Sequence, residues 1–577
     1  MIVEQFKNTI PRHQIKISQL GGASAGGMCA TMMLLNAFEK HNPIEAVEQI
    51  QKNKPSGNSL FDSWVHMNNF NGQESIQQFL KTDDLASQGV SSLLNANIID
   101  GIADCVFKNA DGLKPSNIKP YFSSDLELML TLCSLRALPL QIKFKAGLNT
   151  LKAPPAHIMK HHALKARFKL SECNTDEYFS IFKNLSLLKK CCVATGVFPF
   201  GLKARYFNEF SKKCVRNDLE QSLLQDIEFD IFFNDNENTS DFNFMAVDGG
   251  TLNNQSFNEV YHKVSKIAGN ECFGSILINP FPNFEDEPES KNSINSVFEL
   301  PIPLLKALRH QASFKYPALG NNGSRFSEYL HQFMIFPSKY SENENKEKKR
   351  VIPPMACDSL AAFGGFFDWN FRLHDYFLGR DNCKQFLRNH FVLPRDSKLF
   401  KDHDLSGNSP FIKRADDAKK GAFLPIIPDT KVISEKVDIN QKVSVGKLYT
   451  IPKKPYYKVE SIFELEDEFK NRLKELLKRS LDEVKNDANN NDLSMTKLAN
   501  EIYFSYRPKN FFNRFVSRIR FYLVKLLLKR IVVNWLIRFL TKNIIIHVIK
   551  GLVLSGLIDA GSFNKKSSTK DKEVKTS

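Results

Sequence analysis

Short apolar runs alternate with segments of helical periodicity along the N-terminal half of the chain. The runs IKISQL (15–20), FNFMAV (242–247) and GSILIN (274–279) have the length and composition of buried strands. The first run leads through a glycine-rich turn into MCATMMLLNAFEKH, which has apolar residues at helical spacing. The segment at 126–145 is predicted to begin as a helix and to run into a buried strand. This alternation predicts an α/β layer fold with a mainly parallel central sheet.

Strongly polar stretches separate the parts of the chain. EDEPESKN (285–292) and SENENKEKK (341–349) bracket a middle segment, and NDANNND (486–492) precedes a basic region. The last residues, NKKSSTKDKEVKTS, have the composition of a disordered tail. We therefore expect a first domain over 1–300, an extension over 301–485, basic helices over 486–564 and a tail over 565–577.

The C-terminal region combines basic and apolar residues at helical spacing. Residues 507–550 contain eleven Lys or Arg and no acidic residue. Arg514, Arg518, Lys525 and Lys529 are separated by four, seven and four positions, which places them on one face of a helix. The opposite positions are mainly Phe, Leu, Ile and Val. This pattern is typical of an amphipathic helix that lies on an anionic membrane, and a helical cap on the core is the alternative.

The charge and cysteine content narrow the classes of partner. The net charge of +16 favours an anionic partner, either nucleic acid or an acidic membrane surface. We expect the membrane and no nucleic acid, because the basic region is very apolar and contains no helix-turn-helix or stacking motif. The ten Cys show no paired ligand spacing, so no metal site or cofactor is expected. The first residues contain no apolar run typical of a secretory signal, which predicts a cytoplasmic protein peripherally bound to membrane.

The glycine-rich turn contains the pattern G-x-S-x-G, formed by Gly22, Ser24 and Gly26. In a nucleophile elbow, a serine occupies a sharp turn between a strand and a helix, and small residues on either side allow that turn to close. The first amide of the following helix, that of Ala25, can then donate to an oxyanion. The alternative is a glycine-rich turn that carries an incidental serine. A strand directly before and a helix directly after favour the elbow.

A second turn follows the apolar run at 242–247, where Asp248 precedes Gly249 and Gly250. Alone, it would be an ordinary Asp-Gly turn. Together, GGASAGG and DGGTLNN resemble the nucleophile elbow and the Asp-Gly-Gly turn of patatin-like phospholipases, in the order found in that family. Three further segments resemble family blocks, two of them from bacterial members: ATGVFP (194–199), ILINPFP (276–282) and the segment 355–391. The resemblance extends from about residue 15 to about residue 395.

The resemblance implies a three-layer patatin-like fold and a lipid acyl hydrolase with a Ser–Asp dyad. Ser24 would attack the ester carbonyl, and Asp248 would accept its proton and later activate water. Gly249 and Gly250 would let the backbone approach the serine. The implied substrate is a phospholipid or another lipid acyl ester, and no cofactor is implied. His374 follows Asp248 in the order Ser, Asp, His, so a histidine triad is a less favoured alternative.

The chain departs from the family upstream of the serine. The family carries a glycine-rich oxyanion loop there, whereas this sequence has no glycine before Gly21. We therefore expect the N-terminal oxyanion segment to be missing, and removing one oxyanion donor typically costs about a hundred- to a thousandfold in rate. Two alternatives stay open: a weak or inactive membrane-associated binding protein, and an acyltransferase that uses the same dyad.

Overall fold

The structure is a computed structural model of the chain. It describes residues 13–39, 41–85, 89–108, 110–143, 156–222, 229–231, 233, 240–253, 259–260, 263, 273–281, 307–308, 311–312, 332–342, 348–358, 363–400, 413–414, 422–428, 449–489 and 537–558. Within these residues it is a mixed α/β fold, with a core made mainly of sheet and with helices beside it.

The strands form one large sheet and three small ones. They are β1 (Ile17–Gly22), β2 (Phe122–Lys143), β3 (Ala156–Lys169), β4 (Phe179–Ser180), β5 (Arg205–Phe207), β6 (Phe229–Ile231), β7 (Phe244–Asp248), β8 (Ser275–Ile278), β9 (Gln332–Ile335), β10 (Tyr340–Glu342), β11 (Lys348–Arg350), β12 (Val392–Pro394), β13 (Lys413–Arg414) and β14 (Ala422–Pro425). The large sheet has seven strands in the order β4-β3-β2-β7-β5, and β1 and β6 also pair with β2. The small sheets are β8-β9, β10-β11 and β12-β14-β13.

Helices follow or precede most of these strands. They are α1 (Ala25–Asn36), α2 (Ser59–Phe61), α3 (Ser75–Phe79), α4 (Asn97–Phe107), α5 (Leu185–Thr195), α6 (Lys212–Ser222), α7 (Trp369–Asn389), α8 (Val459–Glu464), α9 (Glu466–Asn489) and α10 (537–554). The strand, turn and helix expected around Ser24 are present as β1 and α1. The strands expected near 242–247 and 274–279 are present as β7 and β8.

Two expectations about the sheet were wrong. The segment at 126–145 is predicted to begin as a helix, but β2 is extended from Phe122 to Lys143. Its Leu and Met residues favour helix by propensity, yet β2 is buried on both faces over residues 128–134, and a strand buried on both faces has a nearly continuous apolar run. The central sheet is also mixed rather than mainly parallel. Only the pairs β1-β2 and β3-β4 are parallel among the described pairs of this sheet.

The pairing around β2 brings the ends of two strands together. β3 pairs with one edge of β2 over residues 127–133, so β1 and β7 share the other edge. β1 runs parallel to β2 and ends with Gly22 opposite Leu130. β7 runs antiparallel and ends with Asp248 opposite Leu132. The carboxyl ends of β1 and β7 therefore meet head to head, two residues apart along β2, although the turns that follow them are far apart in sequence.

The main hydrophobic core joins the large sheet to α1 and α5. Leu34 of α1, Leu128 of β2 and Leu188 of α5 are each fully buried in it. Burying a side chain of this kind contributes about 1.5–3 kcal/mol. Because α1 and α5 both pack on the strand that aligns β1 with β7, this core fixes the turns at both strand ends.

A second core is formed mainly by the C-terminal part of the chain. Leu552 of α10, Ile462 of α8 and Phe371 of α7 are fully buried in it. A buried arginine joins this part to the N-terminal part: the Arg472 guanidinium of α9 binds the Asp84 carboxylate and donates from Nε to the Leu93 carbonyl at 3.0 Å. The C-terminal helices are thus anchored to the segment that contains Leu93.

The predicted membrane-facing residues Arg514, Arg518, Lys525 and Lys529 lie outside the described residues. No helix in the described ranges is both long enough and apolar enough to cross a membrane.

Candidate active site

Ser24 occupies a strained turn between β1 and α1. Its backbone has φ 54° and ψ −134°, a conformation that residues with a Cβ rarely adopt. Such strain costs on the order of 1–3 kcal/mol and persists only where the surroundings enforce it. Here the turn is enforced because β1 is paired along β2 and α1 begins immediately, at Ala25. The serine is consequently presented at the helix N-terminus, half-exposed beyond the end of the strand.

The glycines of the elbow differ in how tightly they are packed. A Cβ on Gly22 would lie 2.4 Å from the Gly26 carbonyl carbon, so no side chain fits there. A Cβ on Gly27 would lie 2.7 Å from the Thr195 methyl group. A Cβ on Gly26 would meet no atom within 4 Å. The expectation that residues on both sides of Ser24 must be small therefore holds for Gly22, but it was wrong for Gly26, because the close contact falls one residue later.

Asp248 ends β7 and faces the serine. Ser24 Oγ donates a hydrogen bond to Asp248 Oδ2 at 2.8 Å. The other oxygen, Oδ1, accepts from the Gly250 amide at 2.7 Å, and the Asp248 amide donates to the Val197 carbonyl at 2.8 Å. A backbone amide thus holds Oδ1 in place, and Oδ2 is left to accept the serine hydroxyl. The side chain lies in a buried site, at 7% exposure.

Gly249 is required by the sheet rather than by the serine. A Cβ at this position would lie 2.2 Å from the carbonyl carbon and oxygen of Thr131 on β2. The expectation that both glycines allow the backbone to approach the serine is therefore replaced by two separate roles. Gly249 lets the turn pack against β2, and Gly250 supplies the amide that orients Asp248.

Thr195 is a site residue that motif reasoning did not identify. It is the last residue of α5 and is fully buried. Its Oγ1 accepts a hydrogen bond from the Ser24 amide at 3.2 Å, and its methyl group lies against Gly27. The Thr195 side chain therefore helps to stabilise the strained turn, through a hydrogen bond and a packing contact. A single threonine has no spacing pattern, but its place in the family-like block ATGVFP was a signal that could have indicated it.

Thr195→Val removes this acceptor while keeping the shape of the side chain. The Ser24 amide would lose its partner, which costs about 0.5–1.5 kcal/mol, so we expect a lower free energy of unfolding and serine labelling about tenfold slower. The labelling rate with a fluorophosphonate and the thermal midpoint measure these effects. Thr195→Ser keeps the oxygen and should restore most of the labelling. Equal labelling of the valine variant and the wild type would show that the contact does not position Ser24.

One backbone amide beside the serine is placed so that it could serve as an oxyanion donor. The Ala25 amide begins α1 and, within the described part of the chain, has no hydrogen-bond acceptor. The Ser24 amide is occupied by Thr195, and the Gly26 amide donates to the Ala23 carbonyl at 2.9 Å. The helix dipole adds a positive end at the same place. Ala25 is thus free to bind an anionic oxygen, as the sequence suggests.

A cysteine lies beside the aspartate without competing with the serine. Cys133 of β2 is buried next to Asp248, and burial together with the Asp248 charge raises the pKa of its thiol to about 11. The thiol is therefore uncharged near neutral pH, and only a thiolate is a strong nucleophile.

His374 is placed away from the dyad's hydrogen bonds. It is fully buried on α7, its Nδ1 bonds Asp375 at 2.7 Å, and its Nε2 lies 3.1 Å from Lys339 Nζ. A lysine ammonium can only donate, so Nε2 accepts and Nδ1 carries the proton. Asp375 also accepts the amides of Ala356 and Cys357, each at 2.8 Å. The histidine thus belongs to a network that ties α7 to the preceding segment.

No group of three or more His, Cys, Asp or Glu side chains within the described ranges is arranged to hold a metal ion.

Comparison with known proteins finds a distant relative that is itself uncharacterized. The uncharacterized protein y4iI of Sinorhizobium fredii (strain NBRC 101917 / NGR234) is 26% identical over 468 residues, which are 73% of this chain and 64% of that protein. The chain thus spans less than two thirds of the length of this relative. No family profile matches the chain, and no solved structure matches it. The function has to be inferred from the site itself.

Proposed function

We propose that this protein is a lipid acyl hydrolase of the patatin-like type, which cleaves carboxylic esters through a Ser24–Asp248 dyad. The observation that carries the proposal is the 2.8 Å hydrogen bond between Ser24 Oγ and Asp248 Oδ2, made from a strained turn at a helix N-terminus. A serine with an incidental role does not require such a backbone, whereas a nucleophile elbow does. The mixed sheet and its helices would form the three-layer core of the catalytic domain, over residues 1–300.

The proposed reaction proceeds through an acyl-enzyme. Ser24 Oγ attacks the ester carbonyl carbon while Asp248 Oδ2 takes the hydroxyl proton, and the Ala25 amide binds the negative carbonyl oxygen. The tetrahedral intermediate collapses, and Asp248 returns the proton to the departing alcohol. Water then attacks the acyl-enzyme and gives its proton to Asp248. Release of the fatty acid restores the proton to Ser24, and no cofactor takes part.

The substrate class follows from the family resemblance and from the charge of the chain. A phospholipid or a related lipid ester would be met at a membrane surface, and a net charge of +16 would draw the protein to anionic lipid. The C-terminal basic helix with Arg514, Arg518, Lys525 and Lys529 is proposed as the peripheral anchor. The protein would then act in the cytoplasm, on the membrane surface.

A serine-directed fluorophosphonate tests whether the dyad is reactive. We expect the wild-type chain to be labelled at Ser24 and the Ser24→Ala variant to show no labelling, because the probe reacts only with an activated serine. Labelling measured by intact mass and peptide mapping locates the modified residue. Labelling of a different serine, or none in the folded wild type, would contradict the hydrolase and favour a binding protein that keeps the fold.

A further inference from the structure

An exposed aromatic residue lies at the tip of a loop next to the dyad. The loop follows α5 and runs from Phe198 to Lys203. At its tip, Phe200 has a left-handed backbone (φ 65°), and 77% of its surface is exposed. Leu93 lies beside it, with its amide bonded to the Phe200 carbonyl at 2.9 Å, and is also largely exposed. Two large apolar side chains are thus presented to solvent together.

The backbone of Phe200 makes this exposure unusual. A left-handed conformation favours glycine or asparagine, and a bulky residue adopts it only against a steric preference. A fully packed phenylalanine can offset such strain through burial, but Phe200 gains little from burial. Folding alone therefore gives no reason for phenylalanine at this position, and a strained, exposed residue beside a candidate site points to a functional role.

The loop is braced rather than loosely attached. The Leu202 amide donates to the Phe198 carbonyl at 3.0 Å and closes the turn, while Phe198 packs edge-on against Phe363 with ring centroids 5.6 Å apart. The Leu94 amide donates to the Gly201 carbonyl at 2.9 Å. Arg472 in turn holds the Leu93 carbonyl. These contacts therefore hold the loop that carries the apolar tip in a fixed position.

The same short segment contacts both members of the dyad. Thr195 accepts from the Ser24 amide, and the Val197 carbonyl accepts from the Asp248 amide. Phe200 follows Val197 by three positions, so their Cα atoms are at most about 11 Å apart, and Val197 is itself bonded to the aspartate's backbone. A surface bound by Phe200 would consequently lie close to the nucleophile.

We propose that Phe200 and Leu93 form a lipid-inserting tip that holds a phospholipid surface against the Ser24–Asp248 site. This inference rests on the proposed function and specifies how the site meets an aggregated substrate. Apolar side chains that leave water for the acyl region stabilise binding, and the exposed Lys203 at the end of the loop supplies a charge complementary to anionic head groups. The tip involves other residues than the proposed C-terminal anchor, whose residues lie outside the described ranges.

Tryptophan fluorescence locates the tip relative to a bilayer. Phe200→Trp places a reporter at the tip, and Tyr456→Trp places one at a control position whose native aromatic is equally exposed, at 76%. Both variants share the same three native tryptophans as background. With vesicles of brominated phosphatidylcholine and phosphatidylglycerol, we expect extra quenching in the Phe200→Trp variant only. Equal quenching of the two variants would overturn the proposal.

Removing the ring tests its contribution to binding. The affinity of the chain for vesicles is measured by sedimentation, with the same lipids but without bromine. Phe200→Gly should lower this affinity about tenfold, which corresponds to about 1.4 kcal/mol. The thermal midpoint should not fall, since glycine relieves the left-handed strain. Tyr456→Gly should bind vesicles like the wild type. Loss of vesicle binding to the same extent in both glycine variants would overturn the proposal.

Two further readouts separate this proposal from its alternatives. Quenching of the Phe200→Trp variant is repeated in a Ser24→Ala background, where it should persist. If the tip-specific quenching is seen but the chain with Ser24 intact releases no fatty acid, the hydrolase is contradicted and the tip is supported. Release of fatty acid by that chain without tip-specific quenching would do the reverse. A mass change of the Phe200→Gly variant in sedimentation equilibrium without lipid would make the tip a contact between two copies and would overturn the lipid proposal.

Discussion

Ser24→Ala is expected to lower fatty acid release from phosphatidylglycerol vesicles by at least about a thousandfold, because the acyl-enzyme can no longer form. Asp248→Asn should have an effect of similar size, since the amide keeps the shape of the side chain but cannot accept the serine proton. The double variant should be no slower than either single variant, because the two residues act as one unit. Fatty acid release is measured for all three against the wild type.

The chain offers a matched control for this experiment. Ser240 and Asp241 form the same type of hydrogen bond, from Oγ to Oδ1 at 3.0 Å, directly before β7. Both residues are exposed, and neither lies at a strained turn or at a helix N-terminus. Ser240→Ala and Asp241→Asn should therefore retain wild-type release. If the wild type releases fatty acid from the vesicles and the Ser24→Ala variant releases it equally fast, the dyad is not the catalytic group.

The local order around the dyad could be predicted from the sequence, whereas the pairing of the strands could not. β1, α1 and β7 follow from short apolar runs that end at glycine-rich turns, which are local signals. β2 was misjudged because Leu and Met suit both a buried helix and a buried strand, and only its neighbours on both edges select the strand. Whether two paired strands run parallel or antiparallel depends on contacts between distant segments. The prediction of a mainly parallel sheet was therefore wrong.

The site shows the same division. Ser24 and Asp248 are candidates from the sequence because each lies in a recognisable motif, and the structure brings them within hydrogen-bond distance. Thr195 bonds the Ser24 amide from α5, at a sequence separation of 171 residues, and an isolated threonine carries no such motif. Gly27 was missed for a related reason, because the methyl group that requires it belongs to Thr195. The hydrogen-bonding group that braces a strained turn is set by three-dimensional packing rather than by spacing.

Among substitutions that add one methyl group to a glycine of the elbow, Gly22→Ala should be the most disruptive. Its Cβ would lie 2.4 Å from the Gly26 carbonyl carbon, 2.5 Å from the Gly26 oxygen and 2.5 Å from the Gly27 nitrogen, and all three are backbone atoms. Because no side chain can rotate away, β1 and α1 must separate. Overpacking of this kind costs about 3 kcal/mol or more. The displacement of Ser24 should also slow fluorophosphonate labelling about a hundredfold, since a shift of about 1 Å has effects of that size.

Gly26→Ala is the matched control, because it adds the same methyl group on the other side of Ser24. That methyl group would meet no atom within 4 Å, and the position lies in the first turn of α1, where alanine is favoured over glycine by up to about 1 kcal/mol. Thermal unfolding followed by circular dichroism should therefore give a lower midpoint for Gly22→Ala and an unchanged or higher midpoint for Gly26→Ala. Equal midpoints for the two variants would mean that the turn is not closed as described, and the strain at Ser24 that underlies the proposed nucleophile would lose its physical basis.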